Sequence, residues 1–257
     1  MNYPQLERLI EIVSILRSEN GCQWDREQTH QSLRPNMIEE AYEAVDAIDE
    51  GDIPNLREEL GDVLLQVVLH AQIAKDNGEF DIEDVAKELS DKLVHRHPHV
   101  FGNEKVSSTD EILSNWDKLK KEEKAYRKSV LDGISKSQSA LMSAQKISKK
   151  VVKVGFEWDC VESLKKCIQS EYKEFEEAVQ EGDISHMEDE MGDIFFATVN
   201  LARWYKIDAE QALLRANKKF TKRFKKLEEI ATKPLEDYTY DEFNDLWKEA
   251  KLQVDKV

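Results

Sequence analysis

Four carboxylates occur at one spacing in both halves of this chain. Glu40, Glu43, Glu59 and Asp62 reappear 131 residues later as Glu171, Glu174, Glu190 and Asp193. Each set holds two acids three residues apart, then two more, with 19 residues from Glu40 to Glu59 and from Glu171 to Glu190. With 53 Asp and Glu among 257 residues, chance alone supplies about ten such i, i+3 pairs, so one pair carries little weight. Matched pairs at a matched offset carry far more. Residues 40–72 and 171–203 share twelve identities without a gap, including the hinge Glu50-Gly51-Asp52-Ile53 against Glu181-Gly182-Asp183-Ile184. The chain is an internal duplication. Its acids are either solvated faces that the duplication preserved or a site.

The neighbours favour a site. After Glu59 and Asp62 the sequence runs Val63-Leu64-Leu65-Gln66-Val67-Val68-Leu69, apolar almost all round, which reads as a buried helix. Asp62 shares a stripe with Leu65 and Leu69, while Glu40 and Glu43 sit above Ala44 and Ala47, and Glu171 and Glu174 above Phe175 and Ala178. Four carboxylates on two facing helices at the edge of a core repel one another and hold their protons more tightly unless a cation joins them. Mg²⁺ or Mn²⁺ suits such hard oxygen ligands, and Mg²⁺ shares its coordination with water and substrate phosphates.

The repeat reaches further. Gly21-Cys22-Gln23-Trp24-Asp25 matches Gly155-Phe156-Glu157-Trp158-Asp159, Lys92 and Arg96 match Lys219 and Arg223, and Trp116 matches Trp247. A Lys and an Arg one turn apart can neutralise distal phosphates, and a Trp can stack on a base. Alone, such a Trp is ordinary packing. Asn200 lies on the Asp193/Ala197 stripe where the first half has Leu69. A buried amide needs partners, which either a nucleotide or the core can provide. The cluster His95-Arg96-His97-Pro98-His99 has zinc-type ligands, but Pro98 breaks the helix and Lys222-Arg223-Phe224-Lys225 in the second half has no histidine. Packing or turn formation is the better reading.

These residues have to be positioned by helices. Periodicity predicts helices over 4–18, 34–49, 53–76, 81–95 and 109–127, then 136–152, 161–181, 184–206, 208–232 and 239–254, with no convincing strand. Ser108 with Glu111 resembles a capping box, and Gly155 is a stop after 136–152. The expectation is an all-α chain of two four-helix-bundle-like domains, 1–128 and 134–257, linked over about 128–133.

Composition narrows the function. A net charge of −16 and a pI near 4.9 disfavour nucleic acid and anionic membranes as partners. Cys22, Cys160 and Cys167 form an odd, sparse set with no disulfide framework or Cys-x-x-Cys spacing. No run approaches the ~18 apolar residues of a membrane span, and the first residues lack a basic-then-apolar leader. A soluble cytoplasmic protein is expected. Its 40% hydrophobic content suggests apolar surface that a partner covers.

At this point the chain resembles the MazG family of nucleoside triphosphate pyrophosphohydrolases, within the all-α NTP pyrophosphatase superfamily. The resemblance runs through Asn20-Gly21-Cys22-Gln23-Trp24-Asp25, Glu39-Glu40-Ala41-Tyr42-Glu43, Glu59-Leu60-Gly61-Asp62, Arg96-His97-Pro98-His99-Val100-Phe101 and Glu190-Met191-Gly192-Asp193. It implies hydrolysis of NTPs and dNTPs to monophosphate and pyrophosphate with Mg²⁺, in a homodimer of interlocked helices. It also implies that both acidic quartets are metal ligands, and that Lys219, Arg223 and Trp247 contact the nucleotide; Asn200, from its place on the helix stripe and not from the resemblance, is a further candidate. Lys92, Arg96 and Trp116 are the corresponding candidates in the first half. The family's leading Glu is present as Glu39 but is Ser170 in the second half. If that carboxylate assists the attacking water, Ser170 handicaps the second site. In two-domain relatives the carboxy-terminal half tends to be the active one, so Glu171, Glu174, Glu190 and Asp193 are expected to do the chemistry. The alternatives are a non-catalytic nucleotide-sensing scaffold, or a pyrophosphatase restricted to dUTP or dCTP.

Overall fold

The recurring Glu-Gly-Asp-Ile hinge is a two-residue turn between antiparallel helices. In a computed structural model, which describes residues 3–104, 106–124 and 126–255 apart from the side chains of residues 113, 117 and 121, α3 (Arg34–Glu50) ends on Gly51 and α4 (Ile53–Asp76) begins after Asp52. Gly51 takes φ +70°, where L side chains are strained, and the N–H groups of Gly51 and Asp52 reach back to carbonyls of Ile48 and Ala47. The Asp52 carboxylate then accepts the Asn55 N–H at 3.0 Å and caps α4. One residue closes a helix and the next opens another. The same device joins α9 (Val161–Glu181) to α10 (Ile184–Trp204): Gly182 has φ +75°, and Asp183 accepts from the N–H groups of Ser185 and His186.

The other helices are α1 (Pro4–Arg17), α2 (Gln23–Glu27), α5 (Ile82–Arg96), α6 (Pro98–Phe101), α7 (Thr109–Glu122), α8 (Ala140–Val152), α11 (Ala209–Ile230) and α12 (Tyr240–Val254), with a short 3₁₀ turn at Leu235–Asp237. No strand occurs among the described residues. The fold is all-α and the duplication is visible in its packing. In the first half α4 carries α1, α3 and α5, and α5 carries α7. In the second α10 carries α8, α9 and α11, and α11 carries α12.

The chain divides into two compact units, Met1–Lys124 and Ala125–Val257. In the first, Val13, Leu33, Val68, Leu69 and Ile73 form a buried cluster flanked by Leu9, Ile10, Leu65 and Ile82. In the second, Leu164, Ala178, Ile194, Ala197, Val199 and Leu227 are buried. Each core anchors its hairpin by the stripe facing the neighbouring helices.

Several local expectations are adjusted. The helix expected over 109–127 ends at Glu122, and the one expected from 136 begins at Ala140, where the Ser139 hydroxyl accepts the Met142 N–H. Pro98 does stop α5, and it then occupies the first turn of α6. At α7 the cap is split: Ser108 Oγ accepts the Glu111 N–H, but the Glu111 carboxylate accepts from Ser107 rather than Ser108. The segment 128–133 is tied to α8, because Lys150 donates to the carbonyls of Val130 and Asp132.

One expectation fails in an informative way. The run after Asp62 reads as a buried helix, yet Leu64 within it is 38% exposed, as are Leu60 just before it at 54% and Phe195 on the matching helix at 59%. Helices α4 and α10 are apolar on two faces, and each unit covers only one of them.

Candidate active site

Position relative to the hinge explains which acids meet. Glu43 and Glu59 each lie eight residues from Gly51, and Glu40 and Asp62 each lie eleven from it; Glu174, Glu190, Glu171 and Asp193 stand in the same relation to Gly182. Helices rise 1.5 Å per residue, so in a tight antiparallel hairpin residues equidistant from the turn come level. In each half, three carboxylates converge with ligand oxygens all within 4.8 Å of one another: Glu40, Glu43 and Glu59 in one, Glu171, Glu174 and Glu190 in the other. These two are the groups of three or more converging ligands among the described residues.

Asp62 and Asp193 stand beside these triads rather than in them. Their charges still act there. Burial, then the charge of Asp62 and then Glu43, pushes the Glu40 carboxyl above its usual range. Burial, then Glu43 and Asp62, does the same to Glu59. In the second half the Cys167 thiol lies 3.4 Å from Glu171 Oε1, and burial, that hydrogen bond and the charges of Glu171, Glu174 and Asp193 push the thiol up. Asp193 is exposed, while Asp62 is half-buried.

The donor set fits a hard divalent cation. It consists of carboxylate oxygens without thiolate or converging imidazole, the chemistry that Mg²⁺ and Mn²⁺ take. Exposed acidic groups often cluster without an ion, so a further observation matters. Glu190 is only 12% exposed at its side chain, and its Oε2 is buried without a hydrogen-bond partner. A buried, partnerless carboxylate oxygen is costly, and a cation within the triad would satisfy it.

The expected nucleotide contacts assemble on other helices. Arg223 on α11 is held by Asp255, which accepts from Arg223 Nε at 3.2 Å, and Trp247 on α12 packs against Phe220 with ring centres 5.1 Å apart. Lys219 is exposed on α11. The first half repeats the arrangement: Glu123 binds Arg96, whose guanidinium lies 5.8 Å from the Trp116 ring centre, and Lys92 is exposed. The Arg96 hydrogen bond, aided by His95, holds the Glu123 carboxyl down at about 2.

Asn200 is placed differently from its expected role. It is 2% exposed, its Oδ1 accepts from Ser148 Oγ at 2.5 Å, and its Nδ2 donates to the Phe196 carbonyl at 2.9 Å. Both ends of the amide are engaged in the core, so it packs α8 on α10 instead of facing a ligand. The histidine cluster is likewise occupied: His95 pairs with Glu123, and His97 bonds to the Leu93 carbonyl.

The model for the MazG nucleotide pyrophosphohydrolase domain matches twice, at residues 28–101 and 160–227, once around each triad. The chain belongs to the MazG family. A Thermotoga maritima protein named nucleoside triphosphate pyrophosphohydrolase/pyrophosphatase MazG is 45% identical over 95% of each chain. The nucleoside triphosphate pyrophosphohydrolase of Escherichia coli K12 is 44% identical over 97% of this chain and 98% of its own. The crystal structure of a mazG-related protein from Thermotoga maritima aligns with 45% of this chain and 98% of that one at 33% identity, with a TM-score of 0.40.

Three residues of the second MazG domain escape motif reading. Cys167, Ser170 and His186 lie four residues before Glu171, Glu174 and Glu190 respectively, and each touches the acid it precedes: Cys167 as above, Ser170 Oγ donating to Glu174 at 2.8 Å, and His186 Nε2 lying 3.3 Å from Glu190 Oε1. Helical i, i+4 spacing was the available signal.

Proposed function

We propose that this chain hydrolyses nucleoside triphosphates and their deoxy forms to monophosphate and pyrophosphate, using Mg²⁺ with Mn²⁺ as a substitute, and accepting several bases. The second triad is the main site. The observation that carries this reading is the partnerless, buried Glu190 Oε2 beside Glu171 and Glu174. The names of the relatives, which span nearly this whole length, support the reaction class.

Glu171, Glu174 and Glu190 would hold the cation, with Asp193 completing the acidic edge. A divalent ion bound there supplies Lewis acidity toward the phosphate chain and the attacking water. The carboxylates orient that water and accept its proton. Lys219 and Arg223 are assigned to the charge that develops on departing pyrophosphate, and Trp247 to the base. Arg223 is already ordered by Asp255, which limits the entropy lost when a phosphate is engaged.

The assembly we assign is a homodimer. Ile53, Leu60 and Leu64 on α4, and Ile184 and Phe195 on α10, leave two equivalent apolar faces exposed on a chain of net charge −16. Such faces are usually covered. No helix among the described residues is long and apolar enough to cross a membrane.

The direct test measures pyrophosphate release from each NTP and dNTP with and without Mg²⁺. Metal-dependent turnover to monophosphate supports the reading. Tight nucleotide binding without turnover would replace it with a sensing scaffold.

A further inference from the structure

In the second triad a side chain bridges the post-hinge glutamate to an acid on the other side of the hinge. His186 lies on the first turn of α10, where Asp183 accepts its backbone N–H at 3.3 Å. Its Nδ1 is 3.2 Å from Glu181 Oε2, and its Nε2 is 3.3 Å from Glu190 Oε1. The ring therefore spans a carboxylate on the last turn of α9 and one on the second turn of α10, across the hinge that joins them. The first half has Asn55 in this position, with Glu50 and Glu59 as the flanking acids. An amide carries one donor atom, so it lacks the two opposed ring nitrogens that such a bridge needs.

We propose that His186 is a positioning residue for the second cation site. By engaging Glu190 through Oε1, it leaves the buried Oε2 free to serve as the ligand oxygen. The partnerless state of Oε2 follows from this arrangement: one oxygen is tied to the ring, and the other is left for a ligand. Free carboxylates rotate, and a ligand oxygen held in place binds its ion more tightly because less freedom is lost. The proposal rests on the reading that the second triad binds a divalent ion, and it names what makes that triad differ from the first.

The test is Mn²⁺ titration of the full chain, followed by the loss of the free-ion EPR signal. It is done in a Glu43→Ala background so that the first triad does not contribute. His186→Asn, which installs the first-half residue, is expected to weaken Mn²⁺ binding about 10-fold or more, in the range seen when groups supporting metal ligands are removed. Glu181→Ala, at an exposed position, removes only the far anchor and should weaken binding by a smaller factor, about 3-fold. This variant decides the matter if His186→Asn does not fold. Unchanged Mn²⁺ affinity in the folded variants overturns the role of His186. Absence of Mn²⁺ binding in the Glu43→Ala chain itself overturns the underlying assignment of the second triad, and the proposal with it.

Discussion

Ser170 Oγ donates to Glu174 Oε1 at 2.8 Å across one turn of α9. The first half has Glu39 at that place, and its charge is among those that raise the Glu40 carboxyl. The second triad thus has a neutral donor where the first has a fourth glutamate. Ser170 cannot act as a base there, but it fixes one ligand and relieves repulsion.

If the second triad is the working site, Glu174→Ala should lower pyrophosphate release by about 100-fold or more, because it removes a metal ligand. Glu43→Ala should change the rate by less than about 3-fold, since it touches only the first triad. Steady-state kinetics on the two variants with one dNTP is sufficient. The reverse pattern would move catalysis to the first half.

Cation binding should stabilise the fold more at neutral than at acid pH. The Glu40 and Glu59 carboxyls are raised in the folded state by burial and by their neighbours' charges, so ionising them costs folded stability as pH rises through the carboxylate range. A divalent ion removes that cost. Melting temperature with and without millimolar Mg²⁺ should diverge at about pH 7 and converge at about pH 4, where protons replace the ion. An Mg²⁺ effect independent of pH would contradict this account.

The buried chain around Asn200 is expected to be structural. Ser148 Oγ accepts from Arg203 Nε at 2.5 Å while donating to Asn200, and Arg203 also binds Glu157 at 2.6 Å. Ser148→Ala leaves Asn200 Oδ1 and Arg203 Nε without partners, at a cost of about 1–3 kcal/mol. Urea denaturation should show the lower midpoint, with kcat of the remaining folded enzyme near wild type.

Acid stability should depend on Glu123. Its carboxyl is held at about 2, below the ordinary 4.5, chiefly by the Arg96 hydrogen bond. A depressed carboxylate contributes stability that is fully present above its unfolded value and is lost as pH falls toward the folded one. Glu123→Gln should therefore lower the melting temperature at about pH 5 and flatten its further fall toward about pH 2. A slope equal to wild type would show that the pair adds nothing.

Much of this architecture is local and so could be read along the chain. The hinge is a glycine at positive φ followed by a capping aspartate, both short-range requirements, and the equal offsets of Glu43 and Glu59 from Gly51 follow from helical rise alone. The level acids across each hinge, the duplication and ten of the twelve α-helices among the described residues come from such rules. The short α2 and α6 do not, because five and four residues carry too little periodicity to read. Tertiary packing decided the rest. It set Asp62 and Asp193 beside the triads, engaged both ends of Asn200 inside the core, and tied Arg96 and Arg223 to carboxylates just past the ends of α7 and α12. Spacing along a helix fixes the direction in which a side chain leaves the backbone. Which partner it meets is fixed by the neighbouring helix, and that is settled by burial of the shared core.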